Sequence, residues 1–355
     1  MDTIQVGLIG YGLGGAVFHA PLIDSTPSLR LAGVVTSRGD LVRRDRPDVP
    51  VRPRAEDLFS DPAIGLIVIS TPTATHFELA RAALLAGKDV VVDKPFTLTS
   101  READELIALA RRQGRLLSVF QNRRWDNDFL TVKRCIQQRR LGEVYYYEAH
   151  FDRFRPAVQD SWREAPGPGA GALYDLGSHL IDQALHLFGM PESVAADLLA
   201  QRPGAKATDY FHLILHYGRK RAVLHGASLV KEPGPRFIVH GDAGSLLKSG
   251  MDPQEAALSA GRRPTGSDWG REAPEMFGTL TAADGSRQRI ETLPGAYQDY
   301  YQGIAAALLQ GAPVPVDPAD SRDGLLVIEA AERSAAEART IAMGERMRPI
   351  DKRRP

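Results

Sequence analysis

Four polar side chains in one helix-like stretch have the types and spacing needed for proton transfer. The stretch "LYDLGSHLIDQALHLFG" carries Asp175, His179, Asp182 and His186. Positions i, i+4, i+7 and i+11 lie on one helical face, so Asp175 can orient His179 as an acid–base pair. Two other interpretations stay open: a structural Asp–His pair near a helix end, and a zinc cluster of His179, Asp182 and His186. We predict no metal, because nothing else in the sequence suggests a hydrolase.

A glycine-rich stretch near the start has the spacing of a phosphate-binding turn. "IQVGLIGYGLGG" supplies Gly10, Gly12 and Gly15 in the G-x-G-x-x-G pattern, directly after an apolar run. The first glycine allows a tight turn, the second lets backbone approach a pyrophosphate, and the third allows close helix–strand packing. The N–H groups of the following helix favour an anion. We therefore predict a dinucleotide site rather than a simple turn.

The segment after the second predicted strand distinguishes two dinucleotides. An NAD site usually has Asp or Glu about 20 residues beyond the glycines, to accept a hydrogen bond from the ribose 2′-OH. The chain instead reads "VVTSRGD", which places Thr36, Ser37 and Arg38 there. Hydroxyls and a guanidinium suit a 2′-phosphate, so we predict NADP. The nearby Asp40 keeps NAD as the alternative.

The loops after the third and fourth core strands are expected beside the cofactor, because ligands of open parallel sheets bind beyond the strands' carboxyl ends. In "STPTATH", residues 71–73 are predicted to line the cofactor, and His76 either contacts it or bonds to backbone. In "VVVDKPF", Pro95 lacks an N–H and ends the strand, which leaves Lys94 at its carboxyl end. Beside a positive nicotinamide ring, partial burial would lower the pKa of Lys94 toward a catalytic value. The alternative is a solvated lysine.

The first third of the chain alternates short β-branched runs with helix-like stretches. The runs are "IQVGLI", "LRLAGVV", "GLIVIS", "KDVVVD" and "RLLSVF", and stretches such as "HFELARAALLAG" separate them. This alternation is typical of α/β proteins with a doubly wound parallel sheet, the Rossmann architecture. We predict this domain over residues 1–122.

After residue 122 the pattern changes to alternating strands. "GEVYYYEAHFDRF", "DYFHLILHYGRKRAVLHGASLV" and "PRFIVHGDAGSLLKS" predict an antiparallel sheet with the Asp175 helix inserted between its strands. Residues 250–290, rich in Gly, Pro and Ala, are predicted to form a long loop. Residues 123–355 are thus predicted to be a second domain, for substrate binding and oligomerisation. Its strands carry apolar groups on both faces, including Leu213 and Ile214, so we expect a homodimer or homotetramer through this sheet.

Composition argues against several classes of function. The 355 residues contain 44 Lys and Arg against 44 Asp and Glu, so no nucleic-acid partner is expected. The single cysteine, Cys135, excludes an intrachain disulfide. There is no secretory pattern at the start and no apolar run of about 20 residues, so we predict a cytoplasmic protein without a membrane partner.

Several motifs occur together on this chain. They are "GYGLGG", "DKP", "GPGAGALYDLGSHLIDQALHLFG" and, near the end, "YQDYYQGIAAALLQGAPVPVDPADSRDGLLVIEAA". With these motifs the chain resembles the glucose–fructose oxidoreductase/inositol dehydrogenase (Gfo/Idh/MocA) family over nearly its whole length, and most resembles its NADP-dependent inositol and sugar branch. The resemblance implies an N-terminal Rossmann domain and a C-terminal α/β domain with a large, mostly antiparallel open sheet.

The resemblance also assigns roles to residues. The family's lysine of E-K-P corresponds to Lys94 and its D-x-x-x-H pair to Asp175 and His179, which are the predicted catalytic residues. The chain departs from the pattern at Asp93, where the family has Glu, and residues 168 and 170 interrupt the family's glycine loop. The predicted cofactor contacts are Gly10, Tyr11, Gly12, Leu13, Gly14, Gly15, Thr36, Ser37, Arg38, Thr71, Pro72, Thr73, His76, Asp93, Lys94, Gln121, Trp162 and Arg163.

These observations predict an oxidoreductase that moves a hydride between NADP(H) and a carbon that bears a hydroxyl or carbonyl. The resemblance implies a sugar or a cyclic polyol such as an inositol as substrate. The alternative is a dinucleotide-binding sensor without turnover, which the presence of Lys94, Asp175 and His179 argues against. A metallohydrolase is the third interpretation.

Overall fold

The computed structural model describes residues 3–344, which form two compact units. The first comprises the chain up to Thr131, together with Met251–Glu275 and Thr292–Arg322. The second comprises Val132–Gly250, Met276–Glu291 and the chain from Asp323 onward. The predicted division at residue 122 follows chain order, whereas in the structure two later segments are part of the first unit.

The first unit contains a six-stranded parallel sheet. Its strands are β1 (Ile4–Ile9), β2 (Leu29–Val35), β3 (Val51–Arg52), β4 (Ile64–Ile69), β5 (Asp89–Asp93) and β6 (Leu117–Phe120), in the order β3-β2-β1-β4-β5-β6. The central strands are nearly continuous runs of Val, Ile and Leu because both faces are covered. The predicted doubly wound sheet is confirmed. Its order reverses between β1 and β4, which is where open α/β sheets bind ligands.

Helices connect the strands, and residues typical of helix ends mark where some of them begin and stop. For example, the helix over 100–113 begins after Thr99, whose hydroxyl accepts a hydrogen bond from the Glu102 N–H, and ends at Gly114 in the left-handed region. The helices are α1 (Ala20–Asp24), α2 (Gly39–Asp45), α3 (Ala55–Phe59), α4 (His76–Leu85), α5 (Ser100–Gln113), α6 (Asn127–Gln137), α7 (Ser178–Phe188), α8 (Gln254–Ser259), α9 (Gln298–Gln310) and α10 (Pro318–Glu337). In the described residues, no helix combines the length and apolar character needed to span a bilayer.

The second unit contains a nine-stranded sheet, mostly antiparallel as predicted. Its strands are β7 (Val144–His150), β8 (Ser193–Leu199), β9 (Tyr210–Tyr217), β10 (Lys220–Ala227), β11 (Phe237–Gly241), β12 (Gly244–Lys248), β13 (Gly278–Ala282), β14 (Arg287–Ile290) and β15 (Ile341–Ala342), in the order β14-β13-β12-β11-β7-β10-β9-β8-β15. The pair β7–β10 is parallel. Side chains alternate along β9, where Leu213 and Leu215 are fully buried and Ile214 is half-buried.

The prediction of a long loop over 250–290 is wrong. This segment contains the short helix α8 and the hairpin of β13 and β14, whose turn holds Gly285 at φ +81°. The helix has only six residues, and β14 ("RQRI") exposes three of its four side chains. Neither element therefore has the apolar periodicity on which sequence prediction depends.

Candidate active site

The glycine turn begins directly after β1 and is shaped by close backbone packing. Gly10 has φ +98°, and its N–H donates to the Val35 carbonyl at 2.8 Å. A Cβ at Gly10 would overlap the Ser70 carbonyl oxygen, and one at Gly15 would overlap the Gly10 carbonyl oxygen. The protein itself therefore requires glycine at both positions.

Gly12 differs from its neighbours, because a Cβ built there meets no atom within 4 Å in the described residues. Leu13 beside it is 54% exposed. No contact within the described residues therefore requires glycine at position 12. A molecule that must come close to the backbone explains it, and the turn opens a helical segment from Gly14 whose first N–H groups suit a phosphate. The turn fits a dinucleotide.

Tyr11 faces away from that opening. Its side chain is 2% exposed, and its hydroxyl accepts a hydrogen bond from Arg46 Nε at 3.2 Å. The predicted cofactor contact of Tyr11 would therefore be made by its main chain.

The predicted cofactor-selecting residues follow β2 and lead into α2. The Thr36 hydroxyl accepts a hydrogen bond from the Arg38 N–H at 3.0 Å, which closes a tight turn. Ser37 and Arg38 are exposed. Asp40 accepts a hydrogen bond from Arg43 at 2.6 Å, and 96% of its side chain is exposed. The turn thus presents hydroxyls and a guanidinium, while the nearby carboxylate already has a cationic partner.

His76 joins the loops that follow β4 and β5. The ring is 1% exposed, with Nε2 at 2.9 Å from the Thr71 carbonyl oxygen and Nδ1 at 2.9 Å from the Pro95 carbonyl oxygen. Burial lowers the pKa of His76. The geometry matches the backbone-bonded alternative, so His76 positions residues 71–73 and the segment after Lys94.

Residues 71–73 form a compact turn between β4 and α4. The hydroxyls of Thr71 and Thr75 lie 2.7 Å apart, and Thr75 also donates to the Pro72 carbonyl at 2.9 Å. Thr73 is buried, whereas Pro72 is exposed. The turn therefore presents Thr71 and Pro72 at the carboxyl end of β4.

A buried polar chain lies beneath the glycine turn. The Asp93 carboxylate accepts a hydrogen bond from the Ser70 hydroxyl at 2.9 Å, and its Oδ2 lies 3.4 Å from His19 Nε2. His19 Nδ1 lies 2.6 Å from the hydroxyl of Tyr301. Burial alone would raise the pKa of Asp93, but His19, Lys94 and His76 outweigh it and lower the pKa to about 2. Asp93 is therefore an anion here.

Asp93 also fixes the start of the lysine loop. Its Oδ1 accepts a hydrogen bond from the Lys94 N–H at 2.8 Å, and a Cβ at Gly14 would lie 2.6 Å from its Oδ2. Lys94 is half-buried, and its peptide bond to Pro95 is cis. The lysine is therefore one residue from a carboxylate that touches the glycine turn.

Gln121 ends β6 at the same edge of the sheet. It is 5% exposed, and its Nε2 lies 3.5 Å from the Ser321 hydroxyl. Within residues 3–344 its Oε1 has no hydrogen-bond partner. Since buried polar atoms are usually paired, this oxygen is suited to a ligand donor such as a carboxamide.

In the second unit, Asp175 lies in a π-helical turn (Leu173–Gly177) that continues into α7. Its carboxylate accepts a hydrogen bond from Arg163 Nε at 3.3 Å, and the Arg163 guanidinium stacks 4.5 Å over the Trp162 ring. Gly171 precedes this turn. Its φ of +89° and the Thr208 backbone, which a Cβ would crowd, both require glycine there. These contacts link Asp175 to Arg163 and, through Arg163, to Trp162.

A cleft in this unit opens beside Asp175. Its lining also includes Arg153, Arg163, Arg202 and Asp209. Arg202 is neutralised within the wall, since it donates to Asp209 at 2.8 Å and lies 3.2 Å from Glu164. The cleft therefore presents a mixed, polar surface.

His179 lies further along α7, 5% exposed and stacked on Phe151 with ring centroids 6.4 Å apart. His186, on the same helix, accepts from Lys133 Nζ at 2.8 Å. Across residues 3–344, no group with metal-ligand spacing contains His179, Asp182 and His186. The structure therefore does not bring these three residues together as a zinc cluster.

Comparisons with known proteins match this architecture. Residues 4–121 match the NAD-binding Rossmann fold of the Gfo/Idh/MocA oxidoreductase family, and residues 133–343 match its C-terminal α/β domain. The chain belongs to this family. Like its relatives it is an oxidoreductase, and residues 4–121 of its first unit match the family's dinucleotide-binding domain.

Individual relatives cover almost the whole chain. The scyllo-inositol 2-dehydrogenase (NADP(+)) IolW of Bacillus subtilis is 46% identical, over 97% of this chain and 97% of its own. The uncharacterized oxidoreductase YdgJ of Escherichia coli is 50% identical, over 96% of this chain and 99% of its own. The solved structure of the oxidoreductase yvaA from Bacillus subtilis superposes with a TM-score of 0.93 at 45% identity, covering 96% of this chain and 98% of that one.

The roles of individual residues stay predictions in this family member. Sequence reasoning missed Ser70 and His19, which hold Asp93 beneath the glycine turn. His19 lies in "AVFHAP", in the first helical turns after the glycines. Its partner Tyr301 is 282 residues away, and no local pattern links them.

Proposed function

We propose that this oxidoreductase transfers a hydride between NADP(H) and a hydroxyl or carbonyl carbon of a sugar or cyclic polyol, such as an inositol. One observation carries the proposal. The turn whose Gly12 is left open and the strand-end Lys94 are joined through Asp93, so a group able to move a proton adjoins the expected dinucleotide site. The name of the Bacillus subtilis relative supports the cofactor and substrate class for this chain.

The chain's own groups supply binding and proton transfer. The main chain around Gly12 would hold the pyrophosphate, and Thr36, Ser37 and Arg38 the 2′-phosphate. When bound, the nicotinamide accepts or gives the hydride. During oxidation Lys94 Nζ takes the proton of the reacting hydroxyl, and during reduction it returns that proton to the carbonyl oxygen. Asp175 orients His179, which orients the substrate or acts as a second acid.

A cofactor and substrate screen tests this function. The purified protein is assayed with inositols, aldoses and keto-sugars, each with NADP(H) and NAD(H). We expect turnover with at least one of these substrates and a higher kcat/KM with NADP(H). Tight NADP(H) binding without turnover on the whole panel would favour the dinucleotide-binding sensor.

The substitution Gly12→Ala tests the dinucleotide turn. We expect the KM for NADP(H) to rise about tenfold, a loss of ~1.4 kcal/mol, because the new methyl group occupies the space that the pyrophosphate needs. The free energy of unfolding should change by no more than about 0.5 kcal/mol, because that space is open in the protein. Steady-state kinetics and urea unfolding measure the two effects. Gly15→Ala is the matched contrast, since its methyl group would overlap the Gly10 carbonyl and destabilise the fold.

The second unit's sheet predicts self-association. Leu247 is 39% exposed, and the half-buried Ile214 lies on the face of β9 opposite Leu213 and Leu215. We propose a homodimer, or a homotetramer built from dimers, through this face. Light scattering at micromolar concentration should give a multiple of the monomer mass, and Ile214→Lys should lower it. Leu85→Lys, at an exposed leucine of α4, is the control. A wild-type monomer would contradict the proposal.

A further inference from the structure

A row of histidines crosses the sheet of the second unit on one face. His150 of β7 is the cross-strand partner of His225 of β10, and His225 is the partner of His212 of β9. The neighbouring residues along these strands, such as Ala149 and Leu224, point to the opposite face and are fully buried. The histidines are half-buried.

Asp152 joins two of these rings just beyond the end of β7. Its Oδ2 lies 3.0 Å from His150 Nδ1, and its Oδ1 lies 3.4 Å from His225 Nε2. One ligand atom from each of the three residues lies within 4.8 Å of the other two. Tetrahedral zinc with bonds near 2.0 Å places neighbouring ligand atoms about 3.3 Å apart. The three groups are thus already close to a coordination geometry.

The other nitrogen of each ring is also held. His150 Nε2 lies 2.7 Å from Glu148 Oε1, and His225 Nδ1 lies 3.4 Å from His212 Nδ1. Metal-bound histidines usually have their second nitrogen fixed in this way, most often by a carboxylate or a carbonyl. The arrangement leaves His150 Nδ1 and His225 Nε2 directed at Asp152.

A second observation concerns the Asp152 carboxylate. The Asp152 side chain is only 6% exposed, and within the described residues its Oδ1 forms no hydrogen bond, although His225 Nε2 lies 3.4 Å from it. Leaving a buried carboxylate oxygen without a partner is costly. A cation bound between the three residues would give Oδ1 a positively charged partner.

We propose that His150, Asp152 and His225 form a divalent metal site of the zinc class on this face of the sheet. Two imidazole nitrogens and one carboxylate favour Zn²⁺ over Mg²⁺ or Ca²⁺, which prefer all-oxygen sites. A water molecule would complete the tetrahedron. The ion would cross-link β7, β10 and the segment after β7. It takes no part in hydride transfer, so this site is independent of the proposed activity.

Equilibrium dialysis of the tag-free protein against ZnCl₂, followed by metal analysis, tests the site. Wild type should bind about one zinc per chain. Asp152→Asn and His225→Gln should weaken zinc binding about a hundredfold or more, and Glu148→Gln about ten- to a hundredfold. His240→Gln is the matched control, because His240 is an exposed histidine that bonds to Ser245 and lies outside the three ligands. This variant should bind zinc as tightly as wild type.

Two further measurements keep the result interpretable if a variant folds poorly. Zinc should raise the melting temperature of wild type but not of Asp152→Asn, and circular dichroism reports whether that variant is folded. Co²⁺ should give the absorption bands of a tetrahedral site in wild type only. Less than stoichiometric zinc in wild type, or equal affinity in wild type and both ligand variants, would overturn the proposal.

Discussion

Replacing Lys94 with alanine is expected to lower kcat about 10²–10⁴-fold, the usual cost of removing a general acid or base. Lys94 directly follows β5, and Asp93 holds its N–H beside the glycine turn. Lys94 therefore extends from the carboxyl edge of the sheet, where the reacting oxygen is expected. Binding of NADP(H), measured by fluorescence titration, should change little, because the turn around Gly12 is untouched.

Lys94→Arg separates proton transfer from charge. Arginine keeps the positive charge but does not release a proton in proteins, so we expect kcat to stay low. Recovery of kcat in this variant would mean that Lys94 acts by charge alone. Lys231→Ala, at an exposed lysine of the second unit, is the control and should behave like wild type.

His179→Ala tests the second part of the assignment. We expect kcat to fall, because the proposal makes His179 the partner of Asp175 in positioning or protonating the substrate. Cofactor binding should be retained, because His179 lies on α7 and not in the glycine turn. A rise in KM for the sugar or polyol with a smaller fall in kcat would identify His179 as a positioning residue. Turnover equal to wild type in both Lys94→Ala and His179→Ala would contradict the assignment.

The parts of the fold that local patterns encode were predictable. The strands of the first unit are continuous apolar runs, and the glycine spacing is a short motif directly after β1. The buried chain from Asp93 through His19 to Tyr301 was not predictable, because α9 packs into the first unit from the far end of the sequence. Contacts at such separation leave no periodic signal.

The histidine row shows the same limit in the second unit. The alternation of β7, β9 and β10 predicts that His150, His212 and His225 each point to one face of their strand. Which residues become neighbours depends on strand pairing and register. The hairpin of β9 and β10 can be expected from the sequence, but the parallel pairing of β10 with the distant β7 cannot. The sequence alone therefore does not place His225 beside His150.

Removing the guanidinium of Arg38 is expected to raise the KM for NADP about ten- to a hundredfold and to leave the KM for NAD nearly unchanged. A hydrogen bond to a charged group is worth about 1.5–3 kcal/mol, and each tenfold in affinity takes ~1.4 kcal/mol. Arg38 is exposed after the turn that Thr36 closes, so its planar fork is available to a 2′-phosphate.

Ser37→Asp should weaken the preference for NADP more than Arg38→Ala does. The new carboxylate would repel the 2′-phosphate and would offer the ribose 2′-OH of NAD an acceptor, so the preference should move toward NAD. KM values for both cofactors in wild type and both variants measure the change. Arg30→Ala, at an exposed arginine earlier in β2, is the matched control and should leave both KM values as in wild type.

In the competing interpretation, the Asp40 carboxylate accepts a hydrogen bond from the ribose 2′-OH of NAD. In the structure Asp40 accepts a hydrogen bond from Arg43, and its side chain is almost fully exposed. Binding NAD through Asp40 would have to compete with that ion pair, although exposed pairs are worth only about 0–1 kcal/mol. Asp40→Asn distinguishes the two: it should leave the KM for NADP unchanged if Arg38 binds the phosphate, and should raise the KM for NAD if Asp40 binds the ribose. A wild type that prefers NAD, or an Arg38→Ala variant with an unchanged KM for NADP, would show that Arg38 is only a solvated residue of the turn.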